Sequence, residues 1–231
     1  MRHVLLIVLF ALFPVCMVAQ YKIEIMPVNW ETIKKAVEEN PEHVKRLVAR
    51  LAAPETDNTL TYPEKILAFY GQSYISKEKE FLLTMDMVKL QREGKYEECM
   101  EVVHKVLDIN PLNLEALFTA RNVLYVMAKD TTRWENITLD DVRPYFIRGL
   151  RILDVISKTG DGTKEHPFYV TRVNDEYSFM RYYLDLWEIS MQATIDNCDV
   201  ITLNCKSKYW DRPQIYFEIT RVLELEIMML Q

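Results

Sequence analysis

Two apolar stripes at helical spacing, joined by a glycine turn and stopped by a proline, limit this chain more than any other feature. Phe81, Leu82, Met85, Val88 and Leu90 fall within one helix, and Cys99, Val102, Val103, Val106 and Leu107 within a second. Gly94-Lys95-Tyr96 separates them, and Asn110-Pro111 ends the second, because the residue before proline avoids the helical region. A pair of helices this closely linked must lie antiparallel and cannot bury both of its faces alone. Further helices are therefore required, and residues 64–76 and 114–128, with 140–157 behind them, carry the patterns to supply them.

Gly94, Tyr96, Cys99, Val106 and Pro111 stand where a tetratricopeptide repeat has its turn glycine, aromatic, two small packing residues and terminal proline. Arg121 stands where the next repeat would want glycine, so one unit is expected. Upstream, residues 30–51 are amphipathic and split at Asn40-Pro41. A further helix begins at Pro63 with Thr61 as its cap, and Gly71 on its inner face admits a neighbouring helix.

The character changes after Ser157. Gly160-Asp161-Gly162 reads as a tight turn, and residues 168–173 as a strand rich in β-branched and aromatic side chains. A helix capped by Asn174 or Asp175 covers residues 177–187, strands fall at 200–203 and 215–219, and a last helix spans 220–230. The expected fold is mainly α, with tetratricopeptide-like antiparallel helical hairpins over residues 20–158 and a small α+β part over 159–231 packed on them.

Residues 1–19 have the form of a signal peptide: Arg2 and His3, an apolar run over 4–15, and Ala19 at the cut. Twelve apolar residues are too few to cross a bilayer, which needs about twenty. Export to the periplasm or exterior is expected as a soluble chain, ahead of lipid anchoring through Cys16, since Phe13-Pro14-Val15 lacks the small residue that a lipoprotein signal places before its cysteine. No transmembrane span is expected in the mature chain.

The 28 basic and 34 acidic residues give a net charge of −6, with no run of Lys or Arg. That balance opposes a nucleic-acid or anionic-membrane surface. An oxidising compartment permits Cys198 to pair with Cys205, leaving Cys99 single; free buried thiols are the alternative. No CxxC, HExxH or GxSxG occurs, so neither a metal, nor a cofactor, nor a catalytic residue is expected.

The candidate sites are few. Tyr209 and Trp210, in a segment read as a loop, are candidate contacts for a protein or peptide partner in the cell envelope. Asp161 and His166 flank the glycine turn and are candidate ligand-binding residues. The competing reading is an enzyme whose site gathers Asp161, His166, Asp175 or Glu176, although acidic residues at a helix start also serve the helix dipole without further purpose. Tyr177, Phe179, Tyr182, Tyr183 and Trp187 form an aromatic group read chiefly as core.

An ordered series of short motifs runs through the chain: Thr59-Leu60-Thr61, Phe69-Tyr70-Gly71, Gly94-Lys95-Tyr96-Glu97-Glu98, Asn110-Pro111-Leu112-Asn113, Gly160-Asp161-Gly162, Asp175-Glu176-Tyr177, Cys198-Asp199 and Tyr216-Phe217. In these the sequence resembles the exported family of Bacteroidetes-type bacteria known as domain of unknown function 4919. The resemblance spans nearly all of the mature chain. It implies a periplasmic or surface location and a helical part with a small mixed C-terminal part, and it supplies no activity and no catalytic residue.

Overall fold

A computed structural model describes residues 24–230. The expected signal segment, with its cleavage site and Cys16, lies outside them. Seven helices come first. Asn29 opens α1 (Trp30–Glu39) by accepting from the Thr32 amide at 2.9 Å, and Asn40 both ends α1 and caps α2 (Pro41–Ala52) through the His43 amide. The split at Asn40-Pro41 is thus present.

Helix α3 (Tyr62–Ser76) begins with a capping box. The Thr61 side chain accepts from the Glu64 amide, and the Glu64 carboxylate accepts from the Thr61 amide at 2.8 Å. At Gly71 a β-carbon would lie 2.9 Å from Val44, so α2 and α3 approach as closely as they do because no side chain intervenes. Next come α4 (Phe81–Arg92) and α5 (Tyr96–Ile109), joined through Gly94 in the left-handed region. Then α6 (Leu114–Lys129) is capped by Asn113, and α7 (Leu139–Ser157) follows.

The expected stacking holds on one side of the α4/α5 pair only. Helix α6 packs on both α4 and α5, and α7 packs on α6, but α3 packs chiefly on α1, α2 and α7. Among the described residues, one face of α4 is left without a helix packed on it.

Beyond α7, strand β1 (Phe168–Tyr169) is two residues long instead of six. The segment after it is drawn into a helix start: the Asp175 carboxylate accepts from the Thr171 amide and hydroxyl and from the Arg172 amide, at 2.9–3.0 Å. As a result α8 (Val173–Tyr182) starts four residues before the expected position and ends five before Trp187. Leu184 and Leu186 then turn into the core, and an unexpected strand β2 (Ile189–Ile195) precedes β3 (Cys198–Leu203) and β4 (Gln214–Glu218). The chain closes with α9 (Thr220–Met229).

The sheet runs β1-β4-β3-β2, with β1 parallel to β4 and the remaining pairs antiparallel. The described residues are therefore mainly helical, with a small four-stranded mixed sheet near the C-terminal end. One hydrophobic core runs through both parts: Val103, Phe118 and Ile152 from the helices belong to the same cluster as Phe168, Phe179 and Phe217. Two long-range hydrogen bonds tie the sheet to the first helices. The Trp30 indole donates to Glu218 at 2.9 Å, and the Tyr70 hydroxyl donates to the Tyr169 carbonyl at 2.8 Å.

Candidate functional site

The uncovered face of α4 forms one wall of a groove of about 780 Å³. Phe81, Met85 and Val88 lie along that wall at i, i+4 and i+7, and Val222, Leu225 and Met229 line the α9 wall at i, i+3 and i+7. The floor is the chain entering α8, with Arg172, Val173 and Asn174, together with Asn113 and Glu115 at the start of α6. Phe81 is 41% exposed and Met85 57%, large values for apolar side chains on an ordered helix.

A polar network fixes one end. Glu80, buried just before α4, pairs with Arg172, and Asn110 donates to the same carboxylate oxygen at 3.0 Å. Arg172 also donates to the Lys77 carbonyl at 2.7 Å. These bonds hold the entry of α4 against the entry of α8 at one end of the groove. In the floor, Asn174 donates to Glu115, whose carboxyl is held above the ordinary carboxylate range by burial.

The opposite wall depends on Arg221, which is 1% exposed. Its guanidinium donates to the Ser73 carbonyl at 2.7 Å and hydroxyl at 3.2 Å, and to Glu224 at 2.7 Å, and it lies 3.9 Å from the centre of the Tyr74 ring. One buried cation thereby fastens α9 to α3.

The residues expected to carry function are placed elsewhere. Trp210, expected in a surface loop, is 8% exposed and packs against Gly162 and Phe168, whereas its neighbour Tyr209 is 57% exposed. The Ser207 hydroxyl accepts from the Tyr209 and Trp210 amides, and this turn directs one ring inward and the other out. A paired aromatic platform at 209–210 is thus replaced by one core residue and one surface residue.

Gly162 is the reason Trp210 fits. It has φ +73°, and a β-carbon there would stand 2.5 Å from the indole. Gly162→Ala is expected to cost about 2 kcal/mol of stability, read from denaturant midpoints, because it combines a left-handed backbone with displacement of Trp210.

Asp161 accepts from the Thr163 amide and hydroxyl and faces Arg212 at 3.8 Å, which together hold its carboxyl below the ordinary range although partial burial opposes them. His166 is exposed, and its backbone carbonyl accepts from the Asp161 and Gly162 amides. This is a self-contained turn. Asp175 reaches the groove floor, but its carboxylate is committed to the α8 start; Asp161, His166 and Glu176 do not line the groove.

Glu176 lies toward Gln192 of β2 and is fully buried, whereas Asp175 turns back to the start of α8. One of its oxygens has no hydrogen-bond partner, and the other lies 3.5 Å from the Gln192 amide, which donates to Asp199 at 2.7 Å. Burial first, and then the charges of Asp199 and Asp175, push its carboxyl up to about 9. Asp175 and Glu176 thus do not converge as an acid/base pair.

Of the two alternatives for Cys198 and Cys205, the structure has free thiols and no pairing. Cys198 opens β3 and Cys205 follows its end, so five strand steps of about 3.3 Å hold the two apart. Cys99 is buried in the α4/α5 interface, where its thiol donates to the Met87 carbonyl at 3.4 Å and burial raises its pKa. Val106 is fully buried on α5, the Tyr96 ring lies at a tilt to Trp134, and the Pro111 carbonyl accepts from Arg148.

A family model described as a domain of unknown function (DUF4919) matches residues 31–228. The chain belongs to this family. The DUF4919 match takes in the whole of α4 and α9 up to Met228, and therefore nearly all of both groove walls. No curated protein and no solved structure matches the chain. Among the described residues no group of three or more His, Cys, Asp or Glu is placed to hold a metal ion, and no helix is long and apolar enough to cross a membrane.

Proposed function

We propose that this is an exported binding module that takes a protein or peptide partner of the cell envelope in the groove between α4 and α9. The observation that carries the reading is the pair of facing apolar stripes. Two helices each turn three apolar side chains toward a cleft that no other part of the described chain fills. Fixed walls lower the ordering cost of binding, and the methionines Met85 and Met229 adapt to varied side chains. The signal-like pattern over residues 1–19 is what supports export.

The groove displaces the 209–210 segment as the favoured surface, since burial removes Trp210 from contact with a partner. Peptides selected on the purified protein from a random display library are expected to lose at least about tenfold in affinity for Phe81→Ser/Met85→Gln and to bind Tyr209→Ala unchanged. Isothermal titration measures both. Selected peptides indifferent to the groove variant and weakened by Tyr209→Ala would refute the groove and restore the loop.

A further inference from the structure

We infer that the occupant of the groove is a cationic amphipathic helix of a partner protein. This rests on the reading of the groove as a binding site and adds the partner's conformation and charge.

The conformation follows from hydrogen bonding. Both walls are helices, whose backbone groups are satisfied internally, so the groove offers no strand edge to an extended peptide. An extended segment lying among Phe81, Met85, Leu225 and Met229 would bury its own amides and carbonyls without partners, which is costly for each group. A helix satisfies its backbone itself and presents anchors at i, i+3, i+4 and i+7, the spacing of the stripes it would meet. Helix α4, with 12 residues, offers a wall of about 18 Å, so about three turns of partner helix lie along it.

The sign of the partner follows from the rim. Arg172 is taken by Glu80, Asp175 by the α8 backbone, and Glu93 by Lys95 at 2.8 Å. Glu78, Asp86 and Glu226 then line the groove with no cationic partner among the described residues, and Glu115 lies half-buried in the floor. Among the described lining residues Lys89 and Arg92 are the cations left to oppose Glu78, Asp86 and Glu226. An apolar seam flanked by Lys or Arg complements this rim, whereas an acidic helix meets repulsion along most of it.

The test uses the purified protein and three labelled peptides of about 18 residues: Leu and Lys with leucines at helical spacing, the same composition scrambled, and Leu and Glu at helical spacing. Fluorescence anisotropy is expected to show the helical Leu-Lys peptide binding at least about tenfold more tightly than either control. Phe81→Ser/Met85→Gln, which changes no charge and touches two exposed side chains, is expected to remove that advantage. Asp86→Lys/Glu226→Lys is expected to transfer the preference to the Leu-Glu peptide.

Equal or tighter binding of the Leu-Glu peptide by the unaltered protein, lost in Phe81→Ser/Met85→Gln, would overturn the cationic helix and leave the groove as a binding site. Binding that ignores Phe81→Ser/Met85→Gln would overturn both. A monomer that binds none of the peptides would overturn the cationic helix, as would a dimer that this variant splits, the latter by showing that a second copy fills the groove.

Discussion

Glu176→Gln is expected to raise stability by on the order of 3 kcal/mol at pH 8 and to flatten its dependence on pH between about 5 and 9. Glu176 is fully buried with one oxygen unpartnered, and burial together with Asp199 and Asp175 raises its carboxyl from 4.5 to about 9. Between those values the native chain holds a proton that the unfolded chain has released. Stability is therefore fully present below the unfolded pKa and is lost as pH rises toward the folded one, at up to about 1.4 kcal/mol per pH unit. Glutamine keeps the shape and removes the titration. Thermal unfolding followed from pH 5 to 9 should show the two proteins converging at the acid end and diverging toward the alkaline end. Parallel curves would mean that Glu176 is not a buried acid.

Arg221→Ala should act in the opposite direction, with a loss of about 3 kcal/mol. The substitution removes the donors to Ser73 and Glu224 and the cation over Tyr74, and it leaves the buried Ser73 carbonyl without its side-chain donor. Arg221→Lys retains the charge without the planar fork and should recover only part of the loss. The effect should be local as well as global, because the guanidinium is what fastens α9 to α3. Hydrogen exchange is the distinguishing measurement: amides of residues 220–229 should exchange well before those of α5 and α6 in Arg221→Ala. Uniform acceleration through every helix would show that α9 is held by its apolar contacts alone.

The helical part was legible in the sequence wherever its signals are local. Asn40-Pro41, the Thr61 cap, the Gly94 turn and the Asn110-Pro111 stop each act within four residues, and each marks a real boundary. The small mixed C-terminal part was legible in outline for the same reason. The failures lie where a residue's role depends on a distant partner. The strand expected over 168–173 keeps only its first two residues, because those pair with β4, 49 positions on, while Asp175 draws the Thr171 and Arg172 amides into a helix start. Strand β2 alternates as Ile-Ser-Met-Gln-Ala-Thr-Ile, but the aromatic run before it extended the helical reading over its approach.

The site was the least visible part. Periodicity reports that Phe81, Met85 and Val88 share a face without reporting whether anything covers that face. The expected cover, α3, is turned toward α1, α2 and α7 instead. The opposite wall lies more than a hundred positions along the chain, and Arg221, which sets its place, has the composition of a surface residue. Trp210 is the converse case, a residue in an irregular segment that the Ser207 turn and the space above Gly162 carry inside.

The parallel pairing of β1 with β4 also bears on how the molecule assembles in time. Phe168 pairs with Phe217, 49 positions further on, so this register can form only after α8, β2 and β3 have been laid down between them. Helices such as α4 and α5 need only neighbouring sequence and can form early. Helix α9 follows β4 directly, with Ile219 alone between them. One wall of the groove therefore exists from an early stage of folding, whereas the other is set in place by the most non-local strand pairing in the sheet, and a partner that requires both walls would recognise only chains that have finished folding.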